Sequence, residues 1–342
     1  MVDPKDIDFY SLGFKFIETK TMFMADHKNG KWNEGKLVPF GNFEISPASC
    51  VLNYGQGIFE GMKALRAKNG EITLFRPEEN AKRFNSSAKR MLLPEYDMDK
   101  FISAIKGVVK ENKDYIPPYD SGGALYIRPI LFGYGPVLGV HSADEFKLII
   151  FTVPVGPYFP EGFKGINLEI SKEYIRAAPG GTGSAKTICN YAGTMYPAKE
   201  SKERGFSQIL YLDAVHNEYI EEVGAANFFA IINGKLATPR KSGTILEGIT
   251  REAVLEIASK KLGLEVEERD ISYKELYEES CTEVFCSGTA AVITPIASVS
   301  LKGKEHIFNN REPGEIAIKI YELLTGIQRL DIEDDFGWIS KV

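Results

Sequence analysis

A chain of 342 residues, 44% hydrophobic and 26% charged, is long enough for two domains with separate cores and too apolar for extensive disorder. Its net charge of -6 argues against a nucleic-acid partner, which needs a basic face, and no run approaches the roughly 18 apolar residues of a membrane span. Four cysteines without a Cys-x-x-Cys pair, four scattered histidines and an acidic start without a leader pattern point to a cytoplasmic chain with no metal site.

In chain order, Asn29-Gly30 and Asn69-Gly70 each separate strand-like runs, as a type I′ hairpin turn requires. Pro77 opens a helix to about Leu92, with Ala81, Phe84, Ala88 and Met91 as its buried stripe. A second helix over 97–113 has Phe101, Ile102, Ile105, Val108 and Val109 as its apolar face, and strands follow at 123–132 and 146–155. Pro and Gly then concentrate up to Gly165, which sets the expected division: a small α+β domain 1–154, a linker 155–165 and a large domain 166–342. The second half predicts strands at 166–172 and 207–213, one helix over 188–204, and a hairpin turned by Asn233-Gly234. A helix over 249–262 stops at Gly263.

Lys186 follows the glycine-rich run Gly180-Gly-Thr-Gly and precedes the mainly apolar Ile188-Cys-Asn-Tyr191, a setting that suits an amine nucleophile. A phosphate-binding P-loop is the competing reading of the same segment. It fails at Ala185, where that pattern requires glycine, and the residues before it make a poor buried strand. Downstream, Glu222 is followed by Asn227, two aromatics, Leu236-Ala-Thr238 and Leu246-Glu-Gly-Ile-Thr-Arg251. An amine for an aldehyde and a carboxylate for a pyridine nitrogen are the two groups that pyridoxal phosphate chemistry needs. On strand alternation, Glu221 points away from Glu222 and reads as an ordinary surface acid.

This order of residues resembles the fold-type IV pyridoxal-phosphate enzymes of the D-amino-acid aminotransferase-like group. With Leu52–Ala64, Leu74–Asn80, Leu125–Pro129, Pro179–Gly183 and Phe285–Ala290, the resemblance extends over nearly the whole chain to the branched-chain amino acid aminotransferases. It implies a two-domain α+β enzyme, pyridoxal 5'-phosphate as cofactor, and transfer of the amino group of L-leucine, L-isoleucine or L-valine to 2-oxoglutarate in two half-reactions. It also implies a homodimer in which small-domain residues complete the partner's site.

Carried over residue by residue, the resemblance makes Lys186 the lysine that bonds the cofactor and shuttles the proton. Tyr191 becomes the partner of the cofactor phenolate and Glu222 that of the pyridine nitrogen. The phosphate falls to Arg83, the helix start at Ile249 and Thr250, and Thr289. Tyr126 and Arg128, one residue apart on a strand beside outward-turned Leu125 and Ile127, are expected to read the distal carboxylate of glutamate. Tyr54 with the amides of Thr289 and Ala290 takes the α-carboxylate, and Phe14, Phe59 and Tyr158 border an apolar side-chain pocket. Two departures stand out. Ala225 replaces a threonine found in many relatives, and Ala291 and Thr294 occupy the positions of a Cys-x-x-Cys pair of animal relatives, which removes that thiol switch.

Overall fold

The computed structural model describes residues 2–157 and 163–342, in two compact units. Of the described residues, the first comprises 2–157 together with Ala185–Cys189 and Gly326–Val342; the second holds 163–184 and Asn190–Thr325. The 166–342 boundary would assign both Lys186 and the C-terminal segment to the second unit, whereas their contacts lie with the first.

The first unit is built on an antiparallel sheet of β1 (Thr21–Lys28), β2 (Lys31–Trp32), β3 (Lys36–Pro39), β4 (Gly57–Phe59), β5 (Met62–Arg66), β6 (Ile72–Phe75), β7 (Ala124–Gly133) and β8 (Phe146–Val155), completed by Ile339–Lys341. The order runs Ile339–Lys341, β6, β5, β7, β8, β1, β2, with β3 on β1 and β4 on β7. The turn at Asn29-Gly30 has positive φ at both residues, 53° and 74°, as type I′ demands. Asn69-Gly70 does not repeat it. Only Gly70 is left-handed, at φ 86°, and the turn closes through Gly70 N to Ala67 O and Ala67 N to Glu71 O, a wider loop with the glycine in the bulge position.

Helix α1 (Cys50–Tyr54) precedes β4, and the sheet carries α2 (Pro77–Arg90) and α3 (Met98–Glu111). Of the expected α2 stripe Ala81, Phe84 and Ala88 are buried, while Met91 follows the last turn and is half-buried; Phe84 stacks on Phe101 of α3 with centroids 4.8 Å apart. Asp97 caps α3 by accepting from Lys100 N at 2.8 Å. On β7, Leu125 and Ile127 are fully buried in the core rather than turned outward; Tyr126 and Arg128 take the opposite face.

The second unit holds β9 (Ile166–Ile170), β10 (Gln208–Leu212), β11 (Ile220–Val223), β12 (Ala226–Ile232), β13 (Lys235–Pro239), β14 (Val266–Arg269), β15 (Cys281–Gly288), β16 (Val292–Leu301) and β17 (Lys304–Ile307). Their order is β11, β10, β9, β16, β15, β12, β13, β14, with β17 on β16. Because β11 also pairs with β12, through Glu222 with Asn227 and Val223 with Ala226, six strands close on themselves. All four residues of β11 are buried, so the alternation expected of a half-exposed strand is lost; closure encloses one face, and on the Glu221 side the segment after β13 lies over the strand through Thr244. Glu221 is therefore interior, not a surface acid.

The predicted helix over 188–204 is two, α4 (Cys189–Ala192) and α5 (Met195–Glu203), interrupted at Gly193-Thr194. Helix α6 (Ile249–Lys260) buries Ala253, Val254 and Ile257, and Gly263 is left-handed at φ 65°. Asn233-Gly234 forms the predicted type I′ turn, with φ 52° and 75°. Glu283 on β15 accepts the amides of Ile316 and Ala317 in the first turn of α7 (Glu315–Gln328), a carboxylate placed at the positive end of a helix.

Candidate active site

In the first unit Lys186 is held by its main chain. Its amide donates to Ser87 Oγ of α2 at 2.9 Å, and its carbonyl accepts from Phe59 N at 3.0 Å. Thr187 Oγ1 and Ile188 N both donate to Gly57 O, and a side chain at residue 57 would meet Ile188 Cδ1 at 3.0 Å. The half-buried Lys186 side chain lies over the Phe59 ring, with Nζ 4.6 Å from its centroid. Arg128 Cζ is 4.8 Å from the same centroid, and Arg128 Nη2 donates to the Tyr126 hydroxyl at 3.2 Å. Phe59, Tyr126, Arg128 and Lys186 thus form one cluster.

Glu60 lies beside it, fully buried. Arg83 grips its two oxygens through Nε at 2.7 Å and Nη2 at 2.8 Å, while Asn80 and the Gly61 amide donate to Oε2. Burial opposes ionisation of Glu60, but the charge and hydrogen bonds of Arg83, with Lys186 adding to them, hold the carboxyl below its ordinary range. Arg83, expected at a phosphate, is thereby fixed in orientation by a bidentate partner that sequence reasoning did not supply. Tyr54 is 40% exposed at the end of α1 and its hydroxyl donates to Leu138 O. Phe14 is half exposed, outside any regular element, and Tyr158 lies outside the described residues.

In the second unit Glu222 is buried on β11. Arg176 Nη1 pairs with its Oε2 at 2.6 Å, both side chains being almost completely enclosed, and Asn227 Nδ2 donates to its Oε1 at 3.2 Å. Arg176 Nη1 also donates to Thr244 O at 3.1 Å, and Asn227 Nδ2 to Leu246 O at 2.8 Å. The Gly224-Ala225 turn leading to Asn227 has φ 55° at the glycine, and the exposed Ala225 offers no hydroxyl. Asn227 in turn sits opposite Ser287 of β15, two residues before Thr289.

Asn227 also shapes the start of α6. A side chain on Gly248, the residue before its first turn, would come within 2.0 Å of Asn227 Oδ1, so only glycine fits. No side chain caps this helix, which leaves its first amides as an anion-binding end with Thr250 buried among them and Ile249 half buried. Thr289 and Ala290 form the turn between β15 and β16, where Gly288 pairs with Val292 and Val292 holds φ 59°, a left-handed conformation that costs a β-branched residue strain. Tyr191 is half buried in α4, and its carbonyl accepts from Thr194 N and Oγ1. Cys286 pairs across the ladder with Thr294, and burial pushes its thiol up to about 12, which leaves it inert.

Each donor set fits a part of pyridoxal phosphate: an amine for the aldehyde, an enclosed carboxylate for the ring nitrogen, an uncapped helix start with hydroxyls for the phosphate. Residues 57–299 match the class IV amino-transferase family. A branched-chain-amino-acid aminotransferase of Haemophilus influenzae is 45% identical over 99% of this chain and 99% of its own. The chain belongs to the branched-chain amino acid aminotransferases of class IV. Within that family it is 44% identical, over all of this chain and 83% of the relative, to the chloroplastic branched-chain amino acid aminotransferase 2 of Humulus lupulus. Among solved structures, the Escherichia coli branched-chain aminotransferase is similar with a TM-score of 0.80 at 29% identity, covering 94% of this chain and 99% of that one. The T.th. branched-chain aminotransferase with pyridoxamine 5'-phosphate gives 0.81 at 27%, covering 95% and 99%. This aminotransferase therefore has the fold-type IV architecture and uses pyridoxal phosphate.

Sequence reasoning missed Glu60, Ser87, Arg176 and Thr244. Nothing in the spacing of residue 176 from residue 222 signals their pairing; Glu60 alone carried a cue, lying in the Gly57-Ile-Phe-Glu-Gly61 run beside Phe59.

Proposed function

We propose that this aminotransferase moves the amino group of L-leucine, L-isoleucine or L-valine to 2-oxoglutarate, giving the branched 2-oxo acid and L-glutamate. The observation that carries the substrate class is the 45% identity with the Haemophilus influenzae relative across essentially the full length of both chains. When bound, pyridoxal phosphate supplies an aldehyde for the amino group and a ring that takes up electrons from the substrate α-carbon.

The protein's part is division of labour. Lys186 Nζ is the covalent partner of the aldehyde and then the base that takes the α-proton and returns it. Fixing its backbone at Ser87 and Phe59 limits how far the amine wanders, which is the entropic contribution of a positioned base. Glu222 would hold the pyridine nitrogen protonated, and Arg176 and Asn227 hold Glu222. Tyr191 donates toward the cofactor's phenolate oxygen. The amides of Ile249 and Thr250, the hydroxyls of Thr250 and Thr289, and Arg83 take the phosphate.

Tyr126 and Arg128 orient the distal carboxylate of the acidic substrate, while Tyr54 with Thr289 and Ala290 orients the α-carboxylate. Phe59, Phe14 and Tyr158 supply apolar walls for the aliphatic chain. The same reading makes the enzyme a homodimer, completed by residues of the partner's smaller domain, and places it in the cytoplasm. A half-reaction screen of the reconstituted enzyme, followed by cofactor absorbance, tests it. Conversion by L-leucine, L-isoleucine, L-valine and L-glutamate is the expected result; preference for D-amino acids overturns it. Light scattering on the eluted peak tests the dimer, and a monomer with full activity refutes it.

A further inference from the structure

Arg251, in the first turn of α6, has one of the largest fully enclosed side chains of the protein, and the division of labour given above leaves it without a task. We propose that Arg251 is a positioning residue for the cofactor phosphate: its guanidinium fixes the first turn of α6, so that the amides of Ile249 and Thr250 are held in the direction in which they take the phosphate. The proposal rests on the phosphate assignment made under the proposed function.

The start of α6 has no cap of its own. Gly248 supplies no capping side chain, and residues 240–248, which lead from β13 into the helix, form no regular element. Side chains tie this segment at both ends. Near its end Asn227 Nδ2 donates to Leu246 O at 2.8 Å, and at its beginning Arg251 Nη2 donates to Pro239 O, also at 2.8 Å. Pro239 closes β13 and pairs there with Arg269 of β14, so its carbonyl is fixed by the sheet. The two ties meet at one glycine. A side chain on Gly248 would run into Asn227 Oδ1 on one side and lie 3.2 Å from Arg251 Cβ on the other.

The guanidinium does not bind the phosphate itself, because it is 0% exposed and its donors are directed elsewhere. Besides Pro239 O, Nη2 meets Glu268 Oε2 at 2.7 Å, and Nη1 meets Glu252 Oε1 at 3.0 Å. Both carboxylates are partly exposed, which screens these pairs, whereas the bond to Pro239 O is enclosed. Nε has no acceptor among the described residues, so an apolar side chain would fill this space at less cost. What arginine adds is a planar fork that joins the helix to a carbonyl of the sheet. The free amides and the dipole of a helix act on an anion only at its first turn. A tilt of that turn therefore weakens phosphate binding while the body of α6, packed through Ala253, Val254 and Ile257, stays in place.

The probes are pyridoxal phosphate and 5-deoxypyridoxal, which keeps the aldehyde and the ring nitrogen but has no phosphate. Each is titrated into full-length apoprotein of wild type, Arg251→Met, Arg251→Lys and Thr250→Val, and the absorbance change gives Kd. Arg251→Met is expected to raise Kd for pyridoxal phosphate by about tenfold or more and that for 5-deoxypyridoxal by less than about twofold, with Arg251→Lys between it and wild type. Where Arg251→Met does not fold, Arg251→Lys carries the same comparison. Equal losses for the two probes, the mark of a merely structural role, overturn the proposal, and so does an unchanged Kd for pyridoxal phosphate. Thr250→Val separates the inference from the reading beneath it. A loss confined to pyridoxal phosphate in Thr250→Val but not in the Arg251 variants sinks this inference alone; no such loss in any variant sinks the phosphate assignment with it.

Discussion

Glu221 and Glu222 are neighbours on one strand, identical in chemistry and both buried, at 6% and 1% exposure, yet the protein treats them differently. Glu222 meets a guanidinium at 2.6 Å and a side-chain amide. Glu221 meets a hydroxyl, and burial raises its pKa. A guanidinium stands against one carboxyl and a hydroxyl against the other. One residue, Thr244, serves both, its hydroxyl on Glu221 and its carbonyl on Arg176.

The sharpest way to break this comparison is to truncate each acid in turn. Glu222→Ala is expected to lower kcat by about 10³-fold, the scale of losing a positioned proton-holding group, while Glu221→Ala changes it by less than about threefold. Steady-state assays on L-leucine and 2-oxoglutarate decide it, and equal losses would erase the distinction. Next in size is Arg176→Met, which leaves Glu222 buried without its cation. It should cost about 3–5 kcal/mol of stability in denaturant unfolding. Thr244→Val removes only a hydroxyl from Glu221 and keeps the carbonyl on Arg176, so about 1–3 kcal/mol is expected.

The smallest effect is in pH dependence. A carboxyl whose pKa is raised on folding binds more protons in the native state than in the unfolded one between the two values. Its contribution is complete below the unfolded pKa and is lost as pH rises through the folded one. Glu221→Gln should therefore gain on wild type in melting temperature as pH rises through that window. A difference that is flat with pH counts against the raised value.

What could be read from the sequence follows from where local rules govern. Asn29-Gly30 and Asn233-Gly234 were legible because a two-residue hairpin forces positive φ at both positions, and the stripes of α2 and α3 because one face of each meets a core. Asn69-Gly70 misled because one additional residue shifts the same dipeptide into a bulged turn. Glu221 misled because Thr244, twenty-three residues further on, lies against it, a tertiary contact that no short window of sequence contains. The same limit hid Arg176, forty-six residues from its partner by subtraction of the two positions, and the grip of Arg83 on Glu60. The residues proposed to react were visible as motif; the residues that hold them were not, since those partnerships are made by folding.

Lys186 has one further property. Its mount consists of main-chain atoms, the amide on Ser87 and the carbonyl on Phe59, and owes nothing to its own side chain. Residue 186 is therefore an interchangeable socket. Alanine placed there is expected to abolish transamination, read in a half-reaction assay, with the surrounding architecture retained, and would suit capture of an unreacted substrate for crystallography.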